Sequence, residues 1–435
     1  MNSLKRPREI AVAVLQLRAH DREAFPTVWP SVLQRIERAA ACGARLVVLP
    51  EGTVPAYVIG YEPYDPSRTE RAIEELRELA RRTRSVIVAG ATRQDGGRLY
   101  NGALAIDGDG SVAGWADKQF LWHFDRQWFS AGERLEPIRT QIGTIGALVC
   151  ADGRIPTIAR ALVDRGAEIL VMPTAWVSSG RNAHSLENVQ ADLLIRVRAK
   201  ENRVPFVAAN KSGVERGCVL YCGKSQIVAA DGTLTALASQ DGDDTLAAKV
   251  ELGQPAVQRA HLPAPSSRTG CVRSIRIAIS AIEPTAATPE RLRIPEVQAS
   301  IAPGASDAAR AALDALVPTA FVDDAAIFDP AGVEVYRRAG YQLAVWETRA
   351  DAVWRDEVMR ARAIELRMYV VAIDVERRRA CAADPDGAIV CGTFDGYELA
   401  SFTLDPSRTA QTHVAPGTDV LAGLERAHDL AERRN

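Results

Sequence analysis

Through its first 270 residues the chain alternates short apolar runs with amphipathic stretches. That alternation confines it to folds in which helices cover sheets. Ile10–Leu17 and Leu46–Leu49 are near-continuous apolar runs that read as buried strands. Between them, Thr27 to Cys42 spaces its apolar residues at helical intervals, and Gly43 supplies the stop. Glu70–Arg84 reads as a charged amphipathic helix and Val86–Ala91 as a strand. Asn101–Ile106 and Ser111–Trp115 flank Asp107-Gly108-Asp109-Gly110, the turn signal of a hairpin. Further on, Ile145–Val149, Ile169–Met172 and Phe206–Ala209 read as strands, with helices over Pro156 to Arg165 and Leu186–Arg203. Ser225–Ala229 and Thr233–Ala236 form a second hairpin about Asp231-Gly232. Hairpins set into an α/β alternation predict mixed sheets rather than purely parallel ones.

Length sets the domain count. A chain of 435 residues exceeds one ordinary domain, so two are expected. Residues 253–270 are rich in Pro, Ala, Ser and Gly without a period, and residues 283–306 are similar. Ile275–Ile282, between them, is a strand resembling Ile10–Leu17. This places a first domain over residues 1–272 and a smaller α/β domain over 273–435. The second domain reads as a shortened, degenerate repeat of the first. Arg198-Ala199-Lys200-Glu201-Asn202-Arg203 recurs as Arg362-Ala363-Ile364-Glu365-Leu366-Arg367, each ahead of an apolar strand. Gly166 to Val171 matches Gly340 to Val345, Pro156 falls opposite Pro330, and Asp386-Gly387 echoes Asp231-Gly232. In that register Asp324 stands opposite Cys150 and Ala326 opposite Asp152.

Charge and cysteine usage exclude several roles. A net charge of −2 gives no broad basic footprint for nucleic acid or acidic membranes. Seven scattered cysteines, an odd number in a long chain, suit reduced thiols in a cytoplasmic protein. The basic segment Met1 to Arg8 precedes an apolar run, Ile10–Leu15, too short for a signal core or a membrane span. Cys218 and Cys222 are four apart, but no histidine-rich partner completes a metal site.

Three residues stand where apolar strands end. Cys150 closes Gly146-Ala147-Leu148-Val149, ahead of a turn and a helix. Such a place presents a side chain at a rigid edge, near backbone N–H groups able to meet a developing oxyanion. A thiol needs a base to become nucleophilic at neutral pH. Glu51 ends Leu46-Val47-Val48-Leu49-Pro50, and Lys118 follows the strand that begins near Ser111. Taken singly, each has an ordinary reading: a small buried hydrophobe, a solvated acid and a surface lysine.

Together the segments Val47 to Glu51, Asp117-Lys118-Gln119-Phe120-Leu121 and Cys150-Ala151-Asp152-Gly153-Arg154-Ile155-Pro156 resemble, in order and spacing, the nitrilase superfamily of carbon–nitrogen hydrolases. Met172-Pro173-Thr174-Ala175-Trp176, Ala209-Asn210-Lys211-Ser212-Gly213 and Gly223-Lys224-Ser225-Gln226-Ile227 extend the resemblance over roughly residues 8–252. The resemblance implies an αββα sandwich with mixed sheets and a Glu–Lys–Cys triad. Glu51 would be the general base, Cys150 the nucleophile and Lys118 the cation facing the charged intermediate. It implies no metal and no organic cofactor. The Cys-x-Asp-x-Arg pattern looks more like the amidase and carbamoylase branches than like true nitrilases. The substrate expected is a small amide or N-carbamoyl compound, with Ala151 and Trp176 as substrate-binding candidates. The resemblance also implies face-to-face pairing of subunits, met here by a homodimer or by the second domain acting within an intramolecular pseudo-dimer.

The pattern has departures. The family's second glutamate, ahead of a Phe-x-x-Gly stretch, is Asp125 before Phe129-Ser130-Ala131-Gly132. Aspartate is one methylene shorter, and an offset of about 1 Å at a catalytic group costs roughly a hundredfold in rate. The histidine common two residues after the lysine is Phe120, and the glutamate common after the proline of the cysteine motif is Thr157. Nitrile hydrolysis, acyl transfer and a non-catalytic binding role are the competing readings. Specificity is expected from the loops Ala56–Pro66 and Val177–Ser185.

Overall fold

The computed structural model describes residues 8–59, 64–180, 185–253, 265–281, 297–393 and 399–433. Parts of both specificity loops, 60–63 and 181–184, lie outside the described residues. The chain divides into two compact units. Residues 1–257, 415–418 and 422–435 form the first, and residues 258–414 and 419–421 the second. The division falls at 257, ahead of the expected 272, and the last helix groups with the first unit.

The first unit contains β1 (Glu9–Arg18), α1 (Phe25–Ala41), β2 (Leu46–Val48), α2 (Pro66–Thr83), β3 (Val86–Asp95), β4 (Arg98–Ile106) and β5 (Val112–Asp117). After these come β6 (Ile138–Thr140), β7 (Gly143–Ala147), α3 (Pro156–Asp164), β8 (Ile169–Pro173), α4 (Ile195–Asn202) and β9 (Phe206–Ala209). The strands β10 (Lys211–Glu215), β11 (Val219–Cys222), β12 (Gln226–Val228), β13 (Leu234–Leu237) and β14 (Asp244–Glu251) complete it. One sheet runs β11-β10-β1-β2-β3-β4-β5, with β14 also paired to β1. The other runs β13-β12-β9-β8-β7-β6. Both are mixed: β1–β2–β3 and β7–β8–β9 are parallel, while β4, β5, β12 and β13 join as antiparallel hairpin strands.

The two sheets face each other, with β1, β2 and β3 packed against β8 and β9. This explains why Leu46, Val47 and Val48 are apolar without alternation, since both faces of β2 are covered. On the outer side of the first sheet, Trp29 and Ile36 of α1 and Leu76 and Leu79 of α2 pack on Leu15, Val47, Ile87 and Leu104. Helices α3 and α4 lie with the second sheet, and the result is an αββα sandwich. The helix expected over 186–203 begins later. Asn188 Oδ1 accepts the Gln190 N–H at 2.9 Å, and a π-turn over Gln190–Leu194 precedes α4.

The last helix of the chain (Val420–Glu432) belongs to this unit from residue 422 onward. A Cβ at Gly423 would sit 2.6 Å from the Phe120 ring and 3.0 Å from Ile155, so only glycine lets the helix approach. Arg426 Nη2 donates to the Gly132 carbonyl at 2.6 Å, and the His123 N–H donates to Thr418 Oγ1 at 2.7 Å. Arg165 Nη2 donates to the Leu430 and Ala431 carbonyls at 3.2 and 3.1 Å, satisfying groups that a helix end leaves open.

The second unit contains β15 (Ile275–Ser280), β16 (Ala299–Ile301), α5 (Asp307–Leu316), β17 (Thr319–Val322), α6 (Asp324–Phe328), α7 (Pro330–Arg338) and β18 (Leu343–Thr348). It continues through α8 (Ala352–Leu366), β19 (Tyr369–Asp374), β20 (Arg379–Ala383), β21 (Ile389–Gly392), β22 (Leu399–Leu404) and α9 (Pro406–Ala410). One sheet runs β17-β18-β19-β20-β21 and the other β16-β15-β22. Ile275, Ile277, Ile279, Val345, Val371, Ala380, Phe402 and Leu404 share the core between them.

Candidate active site

The site of the first unit is built from strand ends. Beyond β2, Leu49 still donates its N–H to the Val88 carbonyl at 2.8 Å; Pro50 has no N–H to continue the ladder, and Glu51 turns off the sheet fully buried. The turn lies so close to β3 that a Cβ at Gly90 would be 2.4 Å from Glu51 Cα. Lys118 follows β5, its N–H donating to the Asn101 carbonyl and its own carbonyl accepting from Gly132, both at 2.8 Å. Cys150, three residues past β7, opens a 3-10 turn over Cys150–Arg154 with φ at +45°. A residue with a side chain held there costs roughly 1–3 kcal/mol, which the surroundings must offset.

Two buried groups hold that turn. Asp152 Oδ2 accepts the Val149 N–H at 3.0 Å, and its Oδ1 accepts the N–H groups of Gln119 and Phe120 at 3.0 and 2.8 Å. One carboxyl thus ties the cysteine turn to the lysine segment. Burial pushes Asp152 up to about 7 against these three hydrogen bonds. The Gln190 amide, oriented to satisfy both neighbours, donates to the Cys150 carbonyl at 2.8 Å and accepts from Trp176 Nε1 at 3.2 Å.

The side chains converge without exposure to solvent. Lys118 Nζ is 2.8 Å from Glu51 Oε1 and 2.6 Å from Asp125 Oδ2, and all three side chains are fully buried. Glu51 Oε1 also accepts from Asn101 Nδ2 at 2.6 Å, while Glu51 Oε2 is buried with no hydrogen-bond partner. Burial raises Glu51 above the ordinary glutamate range, opposed by the Lys118 charge. Burial pulls Lys118 down, but the charges of Asp125 and Glu51 outweigh it and hold the ammonium well up. The Cys150 thiol is pushed up by burial first and then by the Glu51 charge; Lys118, the Thr174 hydroxyl and the Ala175 N–H favour its thiolate.

Asp125 reaches Lys118 despite its missing methylene. It sits in a 3-10 turn over His123–Gln127, where Oδ2 also accepts the Trp122 N–H at 2.9 Å. Its Oδ1 accepts the Tyr57 hydroxyl at 2.7 Å. The Tyr57 ring lies 5.6 Å from Lys118 Nζ and packs with Ala175 and Tyr221. Behind it Glu215 accepts from Val58 N–H (2.7 Å), Lys211 Nζ (2.9 Å) and the Tyr221 hydroxyl (2.8 Å), which fixes the loop carrying Tyr57. Tyr57→Phe keeps the ring and removes one hydrogen bond to a charged group, worth roughly 1.5–3 kcal/mol. We expect kcat/KM to fall about 10–100-fold. An unchanged value would mean that Asp125 needs no such anchor.

Of the other candidates, Ala151 lies buried in the cysteine turn. Trp176 is fully buried, with its indole turned to Gln190 and its backbone N–H donating to Asn210 Oδ1 at 2.6 Å. Sequence reasoning missed Tyr57, Asn101 and Gln190. For Asn101 the signal was a polar residue heading an otherwise apolar strand. Among the described residues no cluster of three or more metal-ligating side chains occurs, and no helix is long and apolar enough to cross a membrane.

A family model described as carbon-nitrogen hydrolase matches residues 11–259. A Pseudomonas protegens protein named "Hydrolase in pqqF 5'region" is 34% identical over 217 residues, covering 48% of this chain and 73% of its own. The citrullinase of Francisella tularensis is 30% identical over 269 residues, covering 58% of this chain and 92% of its own. Among solved structures, the NitFhit protein of C. elegans aligns with a TM-score of 0.50 and 26% identity, over 56% of this chain and 61% of that one.

Proposed function

The chain belongs to the carbon-nitrogen hydrolase family, and on that premise we propose that it hydrolyses the amide or ureido group of a small molecule through a thioester on Cys150. The observation that carries the reading is the buried Glu51–Lys118 pair, both of whose charges act on the buried Cys150 thiol, with Glu51 Oε1 pinned and Glu51 Oε2 left without a partner.

Glu51 Oε2 takes the Cys150 proton. The transfer conserves net charge inside the buried set, which matters because the thiol by itself resists ionisation. The thiolate attacks the carbonyl carbon, and the oxyanion faces Lys118 Nζ and the Ala151 N–H. Glu51 returns the proton to the leaving nitrogen, which departs as ammonia or an amine. Water, deprotonated by Glu51, then attacks the thioester and frees the acid and the thiol. Asp125 stays bound to Lys118 and Tyr57 throughout and positions the ammonium. The citrullinase relative supports a ureido substrate.

The test is ammonia release from amides, ureido acids, ureido amines and nitriles. Release confined to nitriles, or none from any compound, overturns the reading. The pH profile adds a check on the base. Glu51 must be ionised in the free enzyme, and burial raises it. The acid limb of kcat/KM is therefore expected above the ordinary carboxylate range, with activity growing as pH rises through it. The Asn101 hydrogen bond favours the ionised form, so Asn101→Ala should move that limb to higher pH. A limb that stays put would remove Glu51 from the role of base.

A further inference from the structure

The two units carry the same strand ladder. In the first, Ile145, Gly146 and Ala147 of β7 pair with Ile169, Leu170 and Val171 of β8. In the second, Thr319, Ala320 and Phe321 of β17 pair with Leu343, Ala344 and Val345 of β18. Each residue of the second set stands at a constant offset from the first. The next pairing repeats the register, with a different constant offset on its second strand: Leu170 with Phe206 and Met172 with Ala208, against Ala344 with Val370 and Trp346 with Ala372. The outer hairpins agree down to their bulges, between Ile227 and Val228 on β12 and between Ala382 and Ala383 on β20. In the other sheets, β1 lies between a parallel β2 and an antiparallel β14, as β15 lies between β16 and β22.

Side chains and backbone strain follow the ladder. Arg198 and Glu201 form a fully buried ion pair, and so do Arg362 and Glu365. Arg198 Nε donates to the Gly153 carbonyl and Arg362 Nε to the Ile327 carbonyl, which is the corresponding atom. The positive φ of Gly166 (+97°) and Arg203 (+53°) recurs at Gly340 (+96°) and Arg367 (+52°).

We infer that the described part of residues 258–414 is a second copy of the αββα fold whose site has been converted, with the Asp324 carboxylate in the seat of Cys150. Around Cys150 the Thr174 hydroxyl and the Ala175 N–H favour the thiolate. At the corresponding place Thr348 Oγ1 donates to Asp324 Oδ1 at 2.7 Å and the Arg349 N–H to Asp324 Oδ2 at 3.3 Å. Trp346 Nε1 adds a third donor at 2.8 Å. The seat's donors have been kept while its reactive group has been replaced. Aligned on the β1–β2 and β15–β16 ladders, Pro50-Glu51 falls on Pro303-Gly304, so the base is gone. The hairpin strands β3, β4 and β5 that lead to Lys118 have no counterpart between β16 and β17 among the described residues. The chain thus holds one candidate catalytic site and one anion seat that serves the fold.

Asp324→Cys tests the seat apart from the catalytic reading. Three donors and no facing glutamate favour a thiolate there; the charged neighbours are Asp323 on the cap of α6, Arg349 after β18, and Arg362 with Glu365 on α8. Iodoacetamide labelling is followed across pH by peptide mass, with the exposed Cys42 as the reference thiol in the same molecule. The expected labelling midpoint of the introduced thiol lies at least about one pH unit below that of Cys42. A midpoint at or above that of Cys42 overturns the inference. If that variant does not fold, Asp324→Ala is compared with the parent by thermal unfolding. A lowered midpoint supports a seat that requires its anion, and an unchanged one overturns it.

Discussion

Cys150→Ala is expected to lower ammonia release by at least about 10⁴-fold, because the proposed acyl intermediate forms on its sulfur. The substitution removes a single sulfur from a buried position and leaves the turn's anchors, Asp152 and Gln190, in place. The variant should therefore fold as the parent does. The measurement pairs steady-state ammonia release with mass spectrometry of the acid-quenched parent, where the acyl group should be found on Cys150 alone. Turnover that survives in Cys150→Ala would place the chemistry elsewhere. An acyl adduct on any other cysteine would do the same.

Lys118→Met is expected to destroy both activity and stability, and the two losses can be separated. The ammonium lies between the Glu51 and Asp125 carboxylates, and all three side chains are fully buried. Removing one partner from a buried ion set leaves uncompensated charge and costs roughly 3–5 kcal/mol. Losing the oxyanion's main partner costs at least about 10³-fold in kcat. In Lys118→Met/Asp125→Asn one of the stranded charges is gone as well. That double variant should recover more than half of the lost stability in urea unfolding, and none of the activity. A single variant as stable as the parent would show that the carboxylates do not depend on the lysine for their burial.

The parts of this molecule legible in sequence are those where one residue reports on its own surroundings. Continuous apolar runs announced β2 and β8 because both faces of those strands are covered. Asp-Gly turns announced the hairpins. The candidate triad was readable because three strand-end motifs together, in order and spacing, resemble those of the nitrilase superfamily; taken singly, each residue had an ordinary reading. Other features depend on partners far away in the chain. Tyr57 matters through Asp125, 68 positions on, and nothing local to Tyr57 signals a hydroxyl aimed at a carboxylate. The missing methylene of Asp125 looked like an expected loss, yet the 3-10 turn carrying it supplies the reach. Strand β14 went unassigned because its residues alternate between half-buried and exposed, with an apolar face too weak to stand out. The helix expected from 186 was cut short by Asn188, whose side chain competes for the backbone.

The placement of the last helix has a consequence for how the protein is made. Thr418, Gly423 and Leu430 brace the segment around Phe120, His123 and Arg165, beside the Lys118 strand end. On the ribosome the first unit's sheets can form as soon as they emerge, since domains fold in order of synthesis. The brace, though, is encoded after the whole second unit. A nascent chain therefore carries its thiol and its glutamate for the full time taken to translate residues 258–414, at about 5–20 residues per second, before its lysine segment is secured. Until that helix has emerged, the segment that follows Lys118 lacks the Thr418 hydrogen bond and the Gly423 contact that hold it in the finished chain.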